Sequence, residues 1–85
     1  MKTVWKFPLT GVESIITMPA KAKIVSAAIK DKTMVLWAEV DTEAPLDDRT
    51  FVVKGTGHRL NDLEFYVATI QDPPFVWHIY EVGHP

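Results

Sequence analysis

A strand that runs directly into a glycine-rich turn is the stretch of this sequence best suited to chemistry. The apolar run Phe51–Lys54 is followed at once by Gly55, Thr56, Gly57 and His58. Successive backbone N–H groups in such a turn can bind an anion. The Thr56 hydroxyl and the His58 ring would add further polar groups. A basic neighbour, either Arg49 or Arg59, would complete a site for a phosphate or a nucleotide.

The same four residues have a simpler interpretation. A tight turn often needs a positive φ, and glycine is the ordinary choice there. On that view the stretch is only a turn. The sequence does not decide between a turn and a site.

The residues that common enzymes require are not arranged in their usual motifs. The chain has no cysteine, and it lacks the Gly-x-Ser-x-Gly, His-Glu-x-x-His and phosphate-loop patterns. Its carboxylate pairs, such as Asp47 and Asp48, lie in a polar stretch where solvation is the default. We therefore expect no catalytic residues and no enzyme activity.

Metal and cofactor binding are not expected either. The three histidines, His58, His78 and His84, have no short ligand spacing between them. His78 falls in a predicted strand beside Trp77, and a hydrogen-bonded, partly buried ring is its default state. Exposed aromatic side chains could stack on a bound base, and the candidates are Trp37, Trp77 and Tyr80.

Composition restricts the class of protein. Eighty-five residues with 47% hydrophobic content make one domain, residues 1–85. The net charge is −2 and the estimated pI is 5.8, which argues against binding to a nucleic-acid polymer. No apolar run is long enough for a signal peptide or a transmembrane helix, so no membrane association is expected.

The elements that would position these residues are short strands separated by turn signals. Period-two alternation predicts strands near residues 3–9, 13–18, 23–30, 34–41, 50–54, 63–71 and 75–81. The polar link 30–33 predicts a β-hairpin between the third and fourth strands. Residues 41–49, rich in acidic side chains, are expected to form an exposed loop. Residues 83–85 are expected to be a frayed tail.

About seven short strands at this spacing predict an all-β domain, a small antiparallel sandwich or a barrel. Trp5 and Phe7 are expected to face inward, and Leu36 and Trp37 to lie in or near the core. Several strands carry apolar residues on both faces, for example Val76 beside Trp77. This pattern leaves apolar surface for a partner, and we expect a homo-oligomer.

An ordered set of short motifs resembles a family of small tailed-phage and prophage proteins of unknown function. The motifs are Val4-Trp5-Lys6-Phe7-Pro8-Leu9, Met18-Pro19-Ala20-Lys21-Ala22-Lys23-Ile24, Leu36-Trp37-Ala38-Glu39-Val40-Asp41, Gly55-Thr56-Gly57-His58 and Val76-Trp77-His78. The resemblance covers nearly the whole chain and brings no established activity with it. It implies a phage protein made in the cytoplasm of a bacterial host.

Three classes of function follow. The first is a phage accessory protein that acts against host defence as a stoichiometric binder, either of a small nucleotide signal or of a host protein. A nucleotide would use Arg49, the Gly55–His58 turn, Arg59 and His78, with Trp37 or Trp77 against the base. The second is a minor structural or assembly protein of the virion. The third is a small enzyme on a β scaffold, which would need His58 or His78 beside a carboxylate in a cleft.

Overall fold

Seven antiparallel strands form the whole of the regular structure of the described chain. The computed structural model describes residues 1–83. His84 and Pro85, two residues of the predicted tail, lie outside them. The strands are β1 (Lys2–Pro8), β2 (Glu13–Pro19), β3 (Lys23–Lys30), β4 (Thr33–Asp41), β5 (Leu46–Gly55), β6 (Glu64–Asp72) and β7 (Phe75–Val82). The all-β prediction is confirmed.

The strands pair into a three-stranded sheet of order β1-β4-β3 and a four-stranded sheet of order β2-β5-β7-β6. The two sheets face one another, so the fold is a sandwich and not a closed barrel. Each sheet thus has an inner face, turned toward the other sheet, and an outer face. Because alternate residues of a strand point to opposite faces, the register assigns each side chain to one of them.

The core lies between the inner faces. Its largest fully buried side chains include Phe51 on β5, Leu36 on β4 and Ile79 on β7, each at most 1% exposed. Met18 on β2 is also fully buried. The core therefore draws on the central strands of both sheets.

The predicted hairpin between β3 and β4 is confirmed. Lys30 pairs with Thr33, so Asp31 and Lys32 are the two turn residues, and both have positive φ, 50° and 66°. Positive φ at both central positions defines the type I′ turn, whose twist matches that of a hairpin. Lys21, between β2 and β3, also has a positive φ of 64°.

One extra residue interrupts the pairing of each of two edge strands. The register shifts between Ile24 and Ser26 on β3, and between Tyr66 and Ala68 on β6. β3 and β6 pack against each other across the two sheets. The bulge at Val67 also changes the alternation predicted for β6, so that Ala68 and Ile70, rather than Thr69, face inward after it.

The prediction of an exposed loop over residues 41–49 is wrong for its second half. β5 begins at Leu46, because residues from Leu46 onward pair with β2, with Pro19 opposite Leu46 and Thr17 opposite Asp48. Asp47 and Asp48 therefore stand within β5, opposite Met18 and Thr17 of β2. Only residues 42–45 lie between β4 and β5.

The prediction for Trp37 needs correction, whereas Trp5 faces inward as predicted. Trp37 pairs with Lys6 and Ser26 on the outer face of the three-stranded sheet, and it is only partly buried. Trp5 faces inward, opposite the fully buried Ala38, yet it is 41% exposed. β1 is an edge strand, and the four-stranded sheet does not cover it there. Leu36 and Phe7 lie in or against the core as expected.

The connection from β5 to β6 crosses the outer face of the four-stranded sheet. Both strands pair antiparallel with β7, which lies between them, so β5 and β6 run parallel. β6 begins at Glu64, which stands level with Thr50 because both residues pair with Val82. The connection from Gly55 to Glu64 must therefore span a diagonal of roughly 19 Å across the sheet. Residues 56–63, here called the crossover segment, can reach about 26 Å when extended.

Candidate functional site

The Gly55–His58 turn is a closed structure that begins the crossover segment. The backbone N–H of His58 donates to the Gly55 carbonyl at 3.0 Å. The N–H of Gly55 donates to Nδ1 of the His58 ring at 2.9 Å. The ring therefore folds back onto the start of its own turn, and Nδ1 carries no proton in this arrangement.

Two glycines serve this turn in different ways. Gly57 has a φ of +90°, a conformation that side chains disfavour. At Gly55, a β-carbon would stand 3.1 Å from Cε1 of the His58 ring, so the absence of a side chain makes room for that ring. The interpretation of this stretch as a turn that needs glycine is confirmed. The backbone N–H of Gly55 is already bonded to the His58 ring.

A row of side chains joins this turn to the sheet. On the outer face, the Thr56 hydroxyl lies 3.1 Å from Nε2 of His78, and Nδ1 of His78 lies 3.1 Å from the Thr69 hydroxyl. Thr69 is in turn 2.8 Å from the hydroxyl of Tyr66. Thr56, His78, Thr69 and Tyr66 are called the hydroxyl–imidazole row below.

The row is exposed and rigidly mounted. Its hydrogen bonds lie at the surface, and Tyr66 is 60% exposed. The ring of Tyr66 packs edge-on against Tyr80, with centroids 5.8 Å apart. Because His78, Thr69 and Tyr66 stand on paired strands, they present fixed donors and acceptors beside an aromatic surface.

An ion pair holds the crossover segment on the same face. Lys54 Nζ lies 3.3 Å from Glu64 Oε2 and donates to the Arg59 carbonyl at 3.1 Å. The N–H of Asn61 donates to Glu64 Oε1 at 3.0 Å. That backbone hydrogen bond, with a smaller contribution from Lys54, holds the pKa of Glu64 below its ordinary value of 4.5.

Trp77 stands on the other side of the same sheet. It pairs with Gly55 and faces inward at the end of the sandwich. Its Nε1 donates to Asp72 at 3.2 Å, and its ring stacks on Phe75 with centroids 5.4 Å apart and planes at 27°. The ring also lines an open cleft of about 440 Å³ between the two sheets.

The structure does not bring Arg49 to the turn. Arg49 lies six positions before Gly55 on β5, or roughly 20 Å along an extended strand. Its guanidinium is held inside the opposite end of the sandwich by Glu81, at 2.7 Å through both Nε and Nη2, and by the Ala22 carbonyl at 2.6 Å. The hydrogen bonds that the guanidinium donates to the Glu81 carboxylate raise the pKa of Arg49. Its role is to pair with Glu81.

The other predicted site residues are divided between two places. Arg59 lies on the crossover segment, exposed, with its carbonyl bound by Lys54. Trp37 is on the outer face of the other sheet, away from the row. The site residues that share one end of the four-stranded sheet are thus the Gly55–His58 turn, Arg59, Trp77 and His78.

Sequence reasoning missed Thr69, Tyr66 and the contribution of the bulge. Strict alternation along β6 places Thr69 and Tyr66 on opposite faces. The extra residue at Val67 brings them to the same face. A bulge in the middle of a polar-apolar strand leaves no clear mark in composition, so only the pairing with β7 reveals the row.

Residues 1–83 contain no cluster of His, Cys, Asp and Glu side chains placed to hold a metal ion. In the same residues, no helix has the length and apolar character needed to cross a bilayer. The ring partners described for His58 and His78 are a backbone amide and two hydroxyls.

The fold and the row define a small two-sheet β-sandwich with one exposed polar and aromatic face. Residues 1–85 match the model of a family described as a domain of unknown function, DUF7352. The chain belongs to that family. No curated protein and no solved structure matches it.

Proposed function

We propose that this protein is a phage accessory protein that acts in the host cytoplasm as a stoichiometric, non-enzymatic binder of a small nucleotide signal. The hydroxyl–imidazole row is the observation that supports this most. A row of donors and acceptors on a rigid sheet can recognise a polar ligand without a catalytic group. The neighbouring turn and Arg59 would meet its phosphates.

The contacts of the row fit binding better than they fit catalysis. Hydroxyls flank His78 on both nitrogens, so the ring can donate to one and accept from the other in either tautomer. A general acid or base needs instead a partner that shifts its proton affinity. Tyr66 and Tyr80 provide an aromatic surface on which a base would stack.

Native mass spectrometry of the protein purified gently from bacteria tests the proposal. A panel of cyclic and linear nucleotides is added, and we expect one member to be retained with a defined number of copies per chain. Thr56→Val and His78→Phe should abolish the retained mass because each breaks the row.

Thr17→Val is the matched control for this experiment. Thr17 also stands on the outer face of the four-stranded sheet, but its hydroxyl donates to Asp48 at 2.6 Å on the β2–β5 side. We expect Thr17→Val to bind normally. Equal binding by Thr56→Val and Thr17→Val would rule out the row as the site.

A protein partner is the second candidate, and the exposed edge of β1 favours it. Val4 is 50% exposed and Trp5 41% exposed, and an edge strand presents unpaired backbone groups. A second copy of this chain would cover them, which supports a homo-oligomer. A host or virion protein would also fit. A clean monomer mass with no bound nucleotide would shift the proposal to such a protein, to be identified by pull-down.

A further inference from the structure

The cleft beside Trp77 has walls that are fixed in place. The Leu9 N–H donates to the Met34 carbonyl at 2.8 Å, and the Val53 N–H donates to the Val12 carbonyl at 2.8 Å. These bonds tie the β1–β2 connection to both sheets. The Trp77 ring is fixed by Asp72 and by stacking on Phe75. The cleft therefore exists before any ligand arrives.

The lining of the cleft suits a flat apolar ring. Its apolar walls are Leu9, Val12, Met34, Val53 and Trp77, and Thr10, Gly11, Lys32 and Thr33 complete it. A volume of about 440 Å³ falls in the range of small-molecule sites, which are mostly apolar with a few polar groups. An indole is a good stacking partner for a planar base.

Charge distinguishes this cleft from its neighbours. Its lining contains one cation, Lys32, together with two hydroxyls. Each of the three other clefts described in residues 1–83 is lined by at least two carboxylates. Lys32, Met34 and Trp77 line both this cleft and an adjoining one, whereas Asp31 and Asp72 line the adjoining cleft alone, where Asp72 is bound to the Trp77 indole. Lys32 is thus the charged group that an anion in this cleft would meet, although the chain carries a net charge of −2.

The position of Lys32 follows from the hairpin turn. Lys32 has a φ of 66°, stands in the β3–β4 turn and lines both this cleft and the adjoining one. Among residues 1–83, no carboxylate lies within 4.0 Å of its ammonium group. The ammonium can thus meet the anionic part of a ligand whose ring lies against Trp77.

We propose that this cleft binds the base of a nucleoside monophosphate unit, with the ring against Trp77 and the phosphate at Lys32. The inference deepens the proposed function and rests on it. The cleft and the hydroxyl–imidazole row lie on opposite faces of the four-stranded sheet, near the end where Gly55 and Trp77 are paired, so a ligand that fills both needs a second nucleotide unit besides the one bound at the row. Lys32, Met34 and Leu9 then join the site.

The test is titration of the intact protein with adenosine 5′-monophosphate and uridine 5′-monophosphate, followed by NMR of the three tryptophan indole N–H signals. We expect the Trp77 signal to move, with Trp5 and Trp37 unaffected. Adenosine and ribose 5-phosphate should each bind more weakly than the nucleotide, because each lacks one of the two contacts.

Two lysine variants form a matched pair. Lys32→Gly removes the cation and suits the positive φ, and we expect it to weaken mononucleotide binding about tenfold, as for a lost hydrogen bond to a charged group. Lys21→Gly removes the same charge from another positive-φ position that does not line this cleft. It should bind like the unmodified protein.

Two results would overturn the inference. One is the absence of mononucleotide binding at millimolar concentration. The other is binding that leaves the Trp77 signal in place and is equal in Lys32→Gly and Lys21→Gly. Neither decides the proposed function, which depends on the effects of Thr56→Val and His78→Phe in the nucleotide panel.

Discussion

Arg49 and Glu81 form the most elaborate polar contact inside the sandwich. The guanidinium and the carboxylate meet through two hydrogen bonds of 2.7 Å, with side chains only 19% and 11% exposed. Arg49 also lies over the Phe51 ring, with its Cζ 5.6 Å from the centroid. A charge in such a place is stable only while its partner remains.

Removal of one partner should therefore be costly. We expect Glu81→Leu to lower the free energy of unfolding by about 3 kcal/mol, because it leaves the Arg49 charge unpaired. Urea denaturation measures the effect. The double variant Arg49→Met with Glu81→Leu should recover most of the loss, since apolar residues of similar size replace the whole pair. A double variant as unstable as the single one would contradict this account.

Glu64 gives the molecule a defined response to acid. Its side chain is 5% exposed, beside Lys54, and its pKa is lowered in the folded state by the Asn61 N–H and by Lys54. A depressed carboxyl pKa stabilises the fold at pH values above the unfolded pKa, near 4.5. That stability is lost as the pH falls through the folded pKa.

We therefore expect the melting temperature to fall as the pH is lowered from about 5. Glu64→Gln should make this decline shallower. Thermal unfolding followed by circular dichroism across that range measures both. The control is Glu13→Gln, an exposed carboxyl on the opposite edge strand of the same sheet. An equal change in both variants would show that Glu64 has no special part.

At the scale of elements, two turns hold a lysine in a strained backbone conformation that glycine would adopt freely. Lys21 and Lys32 both adopt left-handed backbone conformations, which cost side chains roughly 1–2 kcal/mol relative to glycine. We expect Lys21→Gly and Lys32→Gly each to raise the free energy of unfolding by up to about 1 kcal/mol, since glycine also has more freedom when unfolded. Urea denaturation checks the sign, and a loss of stability in both would contradict it.

The sequence predicts elements well where alternation and turn chemistry agree. β3, β4 and their hairpin follow from the Lys30–Thr33 link, and β2 and β7 from their apolar periodicity. β5 is misjudged at its start because Asp47 and Asp48 read as a loop, whereas pairing with β2 makes them strand. Pairing between distant strands is invisible to local pattern.

In the candidate site, too, some features follow from local sequence and others depend on strand pairing. The Gly55–His58 turn could be found from composition, because Gly57 needs a positive φ. The meeting of Thr56 with His78, 22 positions later, depends on strand order. Charge alone makes Arg49 a candidate phosphate partner, whereas its ion pair with Glu81 depends on the assembled sandwich.

At the scale of the whole molecule, stability depends on the inner faces and much less on the outer ones. Phe51 is 1% exposed at the centre of the four-stranded sheet, and we expect Phe51→Ala to cost about 3–5 kcal/mol. Trp37 is the contrast, since it lies partly buried on an outer face. Trp37→Ala should cost markedly less, although the ring is larger. Urea denaturation of the two variants compares them directly, and equal losses would place Trp37 in the core.

The place of β7 in the sheet has a consequence for the synthesis of the chain. β7 is the last of the described strands in sequence, yet it lies between β5 and β6 and pairs with both. On the ribosome, β5 and β6 emerge first and have no partner for their facing edges until residues up to 82 have left the exit tunnel. The four-stranded sheet can therefore close only after β7 has emerged. Until that moment, the nascent chain presents two open edges to chaperones and to neighbouring chains.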